Sequence, residues 1–153
     1  RRFAQPTIRG GFIPGEGVAA LALLSDTAAT RLGATPLAAV EAVGLGVDLF
    51  DCVLPTRHAR HGTVLTGTGK LSIKRAEYER DERPLDESCP CPVCARWSRA
   101  YLRHLHRLGE PTAARLLTIH NVVWLSDLVA GLRAAVVEQR FDRERRRVLD
   151  IWG

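Results

Sequence analysis

No methionine occurs anywhere in this chain of 153 residues, and its first residue is Arg1. Together these absences suggest a fragment, or a processed product, whose start lies elsewhere. No apolar run approaches 18 residues, which argues against a membrane span. The opening "RRFAQPTIRGG" lacks an apolar core followed by a small-residue cleavage site, so no secretory signal is read there. Without export, the cysteines are expected to be reduced or metal-bound, and the expected compartment is cytoplasmic. Internal repeats and low-complexity linkers are also missing.

What is there is the material of one soluble domain or a piece of one: 46% hydrophobic and 25% charged residues. The formal charge of +5 favours an anionic partner, against the plainer reading of a solvated basic surface. Three regions differ in texture. Residues 1–62 look α/β. Within them "VAALALLSDTAATRL" is a helical candidate. "TPLAAVEAVGLG" reads as a second short helix, with Pro36 in its first turn and Gly44 and Gly46 at its end. "VDLFDCVLP" then has the length and apolarity of a buried parallel strand running from Val47 to Leu54 and stopping at Pro55.

Residues 63–88 hold a β-hairpin, "TVLTGTGKLSIK", turning at its glycines, and a charged connection. Residues 89–153 are expected to be helical from Val93 on. A first helix ends at Gly109, and Pro111 opens a longer one. Leu117, Leu125, Leu128, Val129, Leu132 and Val136 form an apolar stripe there, which Asn121 interrupts. The basic tail "RFDRERRRVLDIW" is read as partly solvated.

"SCPCPVC" carries the strongest chemical signal. Cys89, Cys91 and Cys94 lie too close together to staple distant parts of a fold, but three thiolates make most of a zinc site. Five histidines compete to be the fourth ligand. Ten residues of continuous helix would put His104 about 15 Å along the axis from Cys94, far beyond a shared metal. His120 avoids this, because an antiparallel return brings the second helix back past the first. The spacing therefore predicts a Cys3His site of Cys89, Cys91, Cys94 and His120, closed and structural. An iron–sulfur cluster is the rival.

A second signal is "VDLFDCVLPTRHARHG". Asp51 falls near the C-terminal end of the expected strand, where β/α barrels carry catalytic groups, although a capping aspartate is the commoner case. Cys52 is read as a buried free thiol. Arg57 and Arg60 follow the strand end, where guanidinium groups suit phosphate contacts.

These stretches together resemble a known family. "GVDLFDCVLPTRHARHG" is similar to the active-site segment of the tRNA-guanine transglycosylases, also called queuine tRNA-ribosyltransferases. "PLDESCPCPVCARWSRAYLRHL", with His120 following in "TIHN", resembles that family's zinc-binding segment. "GGFIPGE" resembles the substrate loop, usually GGLAVGE, with Phe12 in place of leucine, and "LGATP" resembles a later glycine-rich stretch.

The resemblance implies the C-terminal part of a TIM-type β/α barrel of the bacterial type, with an inserted helical Cys3His zinc subdomain. Residues 1–62 would hold the last barrel strands and helices, including the nucleophile segment. Asp51 would be the nucleophile, and Gly11, Phe12 and Glu16 would lie at the base-binding loop. Arg57 and Arg60 would hold the tRNA anticodon stem-loop. Trp97, Tyr101 and His104 would belong to a homodimer interface. The implied reaction exchanges the wobble guanine of tRNA for a 7-deazaguanine base, on the route to queuosine, with one structural Zn2+ per chain. The alternative is a non-catalytic zinc module that binds RNA or a partner subunit.

Overall fold

The computed structural model describes residues 21–22, 35–47, 49–50 and 52–152. The chain order is β1 (Leu21–Ala22), α1 (Thr35–Gly44), β2 (Leu49–Phe50), α2 (Leu54–Arg60), β3 (Thr63–Thr66), β4 (Gly69–Ser72) and a 3-10 turn (Ala76–Tyr78). Three helices follow: α3 (Arg99–Arg107), α4 (Pro111–Val137) and α5 (Phe141–Trp152).

Strands β1 and β2 pair in parallel, Leu21 with Leu49 and Ala22 with Phe50. The intervening helix α1 makes this a β/α arrangement, with two parallel strands and no closed sheet among the described residues. Residues 21–22 correct the helical expectation for "VAALALL". A short apolar run has no period that separates a buried strand from a buried helix, and here sheet pairing decides.

The strand expected from Val47 to Leu54 is also revised. Its described part is Leu49–Phe50, and the chain is helical from Leu54. Pro55 opens α2 instead of ending a strand: it sits in the first turn, where no amide donor is needed. Cys52 lies exposed in the connection, its sulfur accepting the Leu54 amide at 3.4 Å. That corrects the expectation of a buried thiol.

The hairpin forms as expected, with Thr63 opposite Ser72 and Thr66 opposite Gly69. Gly69 supplies the positive φ, +112°, that a tight reversal requires. Helix α3 starts later than the sequence suggests. Ser98 is its N-cap, accepting the Tyr101 amide at 3.3 Å, so the residues from Val93 to Trp97 form turns instead. It ends at Gly109, φ +73°, with the Glu110 amide closing back on the Leu105 carbonyl at 3.0 Å. Pro111 then opens α4, whose 27 residues span about 40 Å.

Two cores result. One gathers Val64, Leu71 and Ile73 of the hairpin with Leu85, Cys91, Val93, Leu102 and Leu117 around the cysteine loop. The other joins Val40 of α1, Leu128 and Leu132 of α4 and Val148 of α5, with Phe141 and Trp152 packed beside it. The basic tail is a docked amphipathic helix, partly solvated as expected, and Arg145 adds an ion pair to Glu41 of α1 at 2.7 Å. The charged connection is tied down by Arg99, which donates to Asp81 at 3.1 Å and to the Leu85 carbonyl at 3.0 Å.

Candidate metal centre and the cationic helix beside it

The cysteine loop is built as a cradle before any ion enters. The Cys94 amide donates to the Cys91 sulfur at 3.3 Å, and the Cys89 amide to the Asp86 carbonyl at 3.3 Å. These contacts turn Cys89, Cys91 and Cys94 toward one point. Helix α4 returns past the loop and delivers His120, fully buried, to the same point. Its Nδ1 lies 3.4 Å from the Cys91 sulfur and 3.3 Å from the Cys94 sulfur. All four ligand atoms fall within 4.8 Å of one another.

A tetrahedral zinc ion with its usual bond lengths separates sulfur from nitrogen ligands by roughly 3.6 Å, so the donor set and the spacing fit. The other ring nitrogen settles the tautomer. Nε2–H donates to the Leu65 carbonyl at 2.8 Å, which leaves the Nδ1 lone pair for the metal. Cys89, Cys91, Cys94 and His120 therefore form a Cys3His structural zinc site. Four protein ligands leave no open position for chemistry, and the bound ion would supply a cross-link between the cysteine loop and α4.

Electrostatics around the cradle follow from its burial. Burial pushes the Cys89 thiol up to about 11 and the Cys94 thiol up to about 12, with the neighbouring Cys91 contributing to both. Burial also lowers the His120 imidazole, against the pull of the Leu65 carbonyl and Asp86, and so favours the neutral ligand form. Asp86 is a buried carboxylate. Burial alone would raise it, but three donors hold it below the usual carboxylate range. They are the Ser88 hydroxyl at 2.7 Å, the Gly67 amide at 2.6 Å and the Ser88 amide at 2.9 Å. Asp86 thereby clamps the cysteine loop to the hairpin turn.

The two arginines singled out by sequence stand on α2, three residues apart and exposed. The stretch from Cys52 to Ala76 contains five lysines and arginines and no carboxylate. His58 registers that field: burial first, then Lys70, His61 and Arg57, lower its pKa. Trp97 and Tyr101 stack with ring centroids 4.8 Å apart, both partly open to solvent, and His104 is exposed on the last turn of α3. Asp51, Gly11, Phe12 and Glu16 lie outside the described residues.

The structure adds two residues to the site. Asp86 heads "DES", an aspartate two residues before a serine, the pattern of a side-chain-capped turn. Asn121 was visible as a break in the apolar stripe directly after His120. The exclusion of His104 rested on a continuous helix from Cys94. Cys94 in fact precedes α3, and His120 takes the place by the return of α4. Among the described residues no helix is long and apolar enough to cross a membrane.

Known proteins agree with this picture. The family model described as queuine tRNA-ribosyltransferase matches residues 30–152. A queuine tRNA-ribosyltransferase of Novosphingobium aromaticivorans is 46% identical over 142 residues, covering 86% of this chain and 38% of the relative. Its namesake from Nitratidesulfovibrio vulgaris is 52% identical over 112 residues, 73% of this chain and 30% of the relative. That of Helicobacter pylori is 50% identical over 107 residues, 70% of this chain and 29% of the relative. The chain thus spans about a third of the length of these relatives, and it belongs to the queuine tRNA-ribosyltransferase family.

Proposed function

We propose that this chain is the C-terminal part of a bacterial-type tRNA-guanine transglycosylase, the last strands of a TIM-type barrel with its zinc subdomain. The observation that carries the reading is the juxtaposition of a Cys3His module with the cationic helix that follows Asp51, in a chain matching the family over residues 30–152. Gly11, Phe12 and Glu16 would hold the base.

Asp51 acts as the nucleophile. Its carboxylate attacks the ribose C1′ of the wobble nucleotide as the bond to the guanine nitrogen breaks, through an oxocarbenium-like transition state. The departing guanine takes up a proton from an acid supplied by the rest of the barrel. A 7-deazaguanine base, or guanine itself, then gives its ring-nitrogen proton to a base supplied by the rest of the barrel and displaces Asp51 from C1′, and two inversions give net retention. An unpaired anticodon loop lowers the cost of presenting the target base. Arg57 and Arg60, on an exposed helix face, contact the phosphates of the stem-loop. The exposed Trp97–Tyr101 stack, with His104, is the contact for a second copy of the chain. Zinc takes no part in the chemistry.

The test is incorporation of labelled guanine into tRNA with a wobble guanine by the zinc-loaded chain and its Asp51→Asn variant. Incorporation lost in the variant supports the mechanism. RNA binding without incorporation means the chemistry requires the remaining barrel. A folded chain showing neither ends the reading for this protein.

A further inference from the structure

Asn121 lies fully buried in the middle of α4, where the stripe around it is apolar. Its Oδ1 accepts the Leu65 amide at 3.0 Å, and its Nδ2 donates to the carbonyls of Pro55 and Thr63, each at 3.1 Å. One side chain thus reaches both α2 and β3, more than 50 residues away in sequence. An apolar side chain of similar volume would fill the space but leave these backbone groups without this partner; the amide satisfies them and adds direction.

The neighbouring ligand completes the grip. The Leu65 peptide gives its N–H to Asn121 and its carbonyl to His120. Helix α2 has only seven residues, too few to be stable alone, and Pro55 in its first turn is four positions beyond Asp51.

We propose that Asn121 is a positioning residue: it locks α2, with Arg57 and Arg60 and the approach to Asp51, in fixed register with the zinc-bound helix α4. The zinc module then sets where the RNA-facing helix stands. The RNA part of this inference rests on the proposed function, but the mechanical part does not.

The experiment compares the zinc-loaded 153-residue chain with Asn121→Asp and Asn121→Leu, and with Leu132→Ala as a control in the other core. Three quantities are read: zinc content, hydrogen exchange of residues 54–66, and affinity for an anticodon stem-loop RNA across a salt series. Asp keeps the acceptor but loses both donors; Leu loses everything. Both variants should keep one zinc, while exchange in 54–66 speeds up about tenfold or more and exchange in α3 is unchanged. RNA affinity should fall about tenfold with the salt slope unchanged, because the cations remain but are misaimed. The Leu132→Ala chain should lose stability without either effect.

Unchanged exchange in 54–66 at full zinc content overturns the proposal, as does faster exchange with undiminished RNA affinity. If the unsubstituted chain shows no salt-dependent RNA binding, the RNA reading of α2 fails and the exchange result alone decides the role of Asn121. If both variants fail to fold, the unsubstituted chain decides it. Amides of α2 that exchange as slowly as those of β3 and central α4 support the lock; amides that exchange orders of magnitude faster refute it.

Discussion

Replacing Asp86 with alanine should loosen the metal centre without removing a ligand. The buried carboxylate receives three hydrogen bonds, from the Gly67 amide, the Ser88 amide and the Ser88 hydroxyl, at 2.6, 2.9 and 2.7 Å. Bonds to a charged acceptor are worth roughly 1.5–3 kcal/mol each, but they do not add, and exposed Ser88 can turn to water. Half-buried Gly67 has less access to it. A net loss of about 2–4 kcal/mol follows, or roughly 5–12 °C in melting temperature for a chain of this size. The assay is thermal unfolding of the zinc-loaded protein, with zinc release to a coloured chelator followed in parallel. One zinc per chain should remain, released several-fold faster. Because the folded carboxyl is held below its ordinary value, its stabilisation is complete above the unfolded pKa of about 4 and is lost as pH falls through the folded value. The gap between the two proteins should therefore be flat from pH 8 to pH 5, and Asp86→Asn should recover part of it. A melting temperature unchanged within 1 °C, or a gap that widens toward pH 5, would mean that Asp86 does not clamp the cysteine loop.

Three further outcomes are expected. With the Cys89 and Cys94 thiols pushed up to about 11 and about 12, both carry protons at pH 7.5, so zinc binding should release at least two protons per ion. Calorimetry in buffers of different ionisation enthalpy counts them, and a count below two means that these thiols are not both protonated in the free site. Gly62 has φ +74°, and a Cβ there would meet the His106 Nε2 at 2.7 Å, so Gly62→Ala should cost about 1–3 kcal/mol in a denaturant titration. Arg57→Ala and Arg60→Ala should each weaken RNA binding and reduce the salt slope by about one, measured by fluorescence anisotropy. A slope unchanged in both would remove α2 from the RNA interface.

The zinc ligands were legible because three thiols at short spacing leave few alternatives, and an antiparallel return supplies the fourth group. The hairpin and the long helix were legible for a similar local reason: glycine and proline mark their ends. Helix α2 was not. "LPTRHAR" has no apolar period, and what marks it is the Pro55 start and one tertiary bond from Asn121 to the Pro55 carbonyl. The extended conformation of Leu21–Ala22 is likewise a pairing effect invisible to local pattern. The tail's helix and its partial solvation agree with the sequence, but its docking was not legible. Its four arginines in sequence positions 143 and 145–147 outweighed Phe141, Val148 and Trp152, which share the face that packs. The roles of Asp86 and Asn121 depend on backbone groups far away in sequence, which no local spacing reveals.

In the proposed function, this chain brings Asp51 and its zinc-anchored surroundings to a guanine-exchange enzyme. The most direct measurement replaces the matching part of the Novosphingobium aromaticivorans relative with this chain and follows labelled guanine entering tRNA. The zinc-loaded chimera should exchange guanine, and Asp51→Asn should abolish the exchange while zinc content and RNA affinity persist. A folded chimera without exchange, or one whose exchange survives Asp51→Asn, would contradict the proposed function.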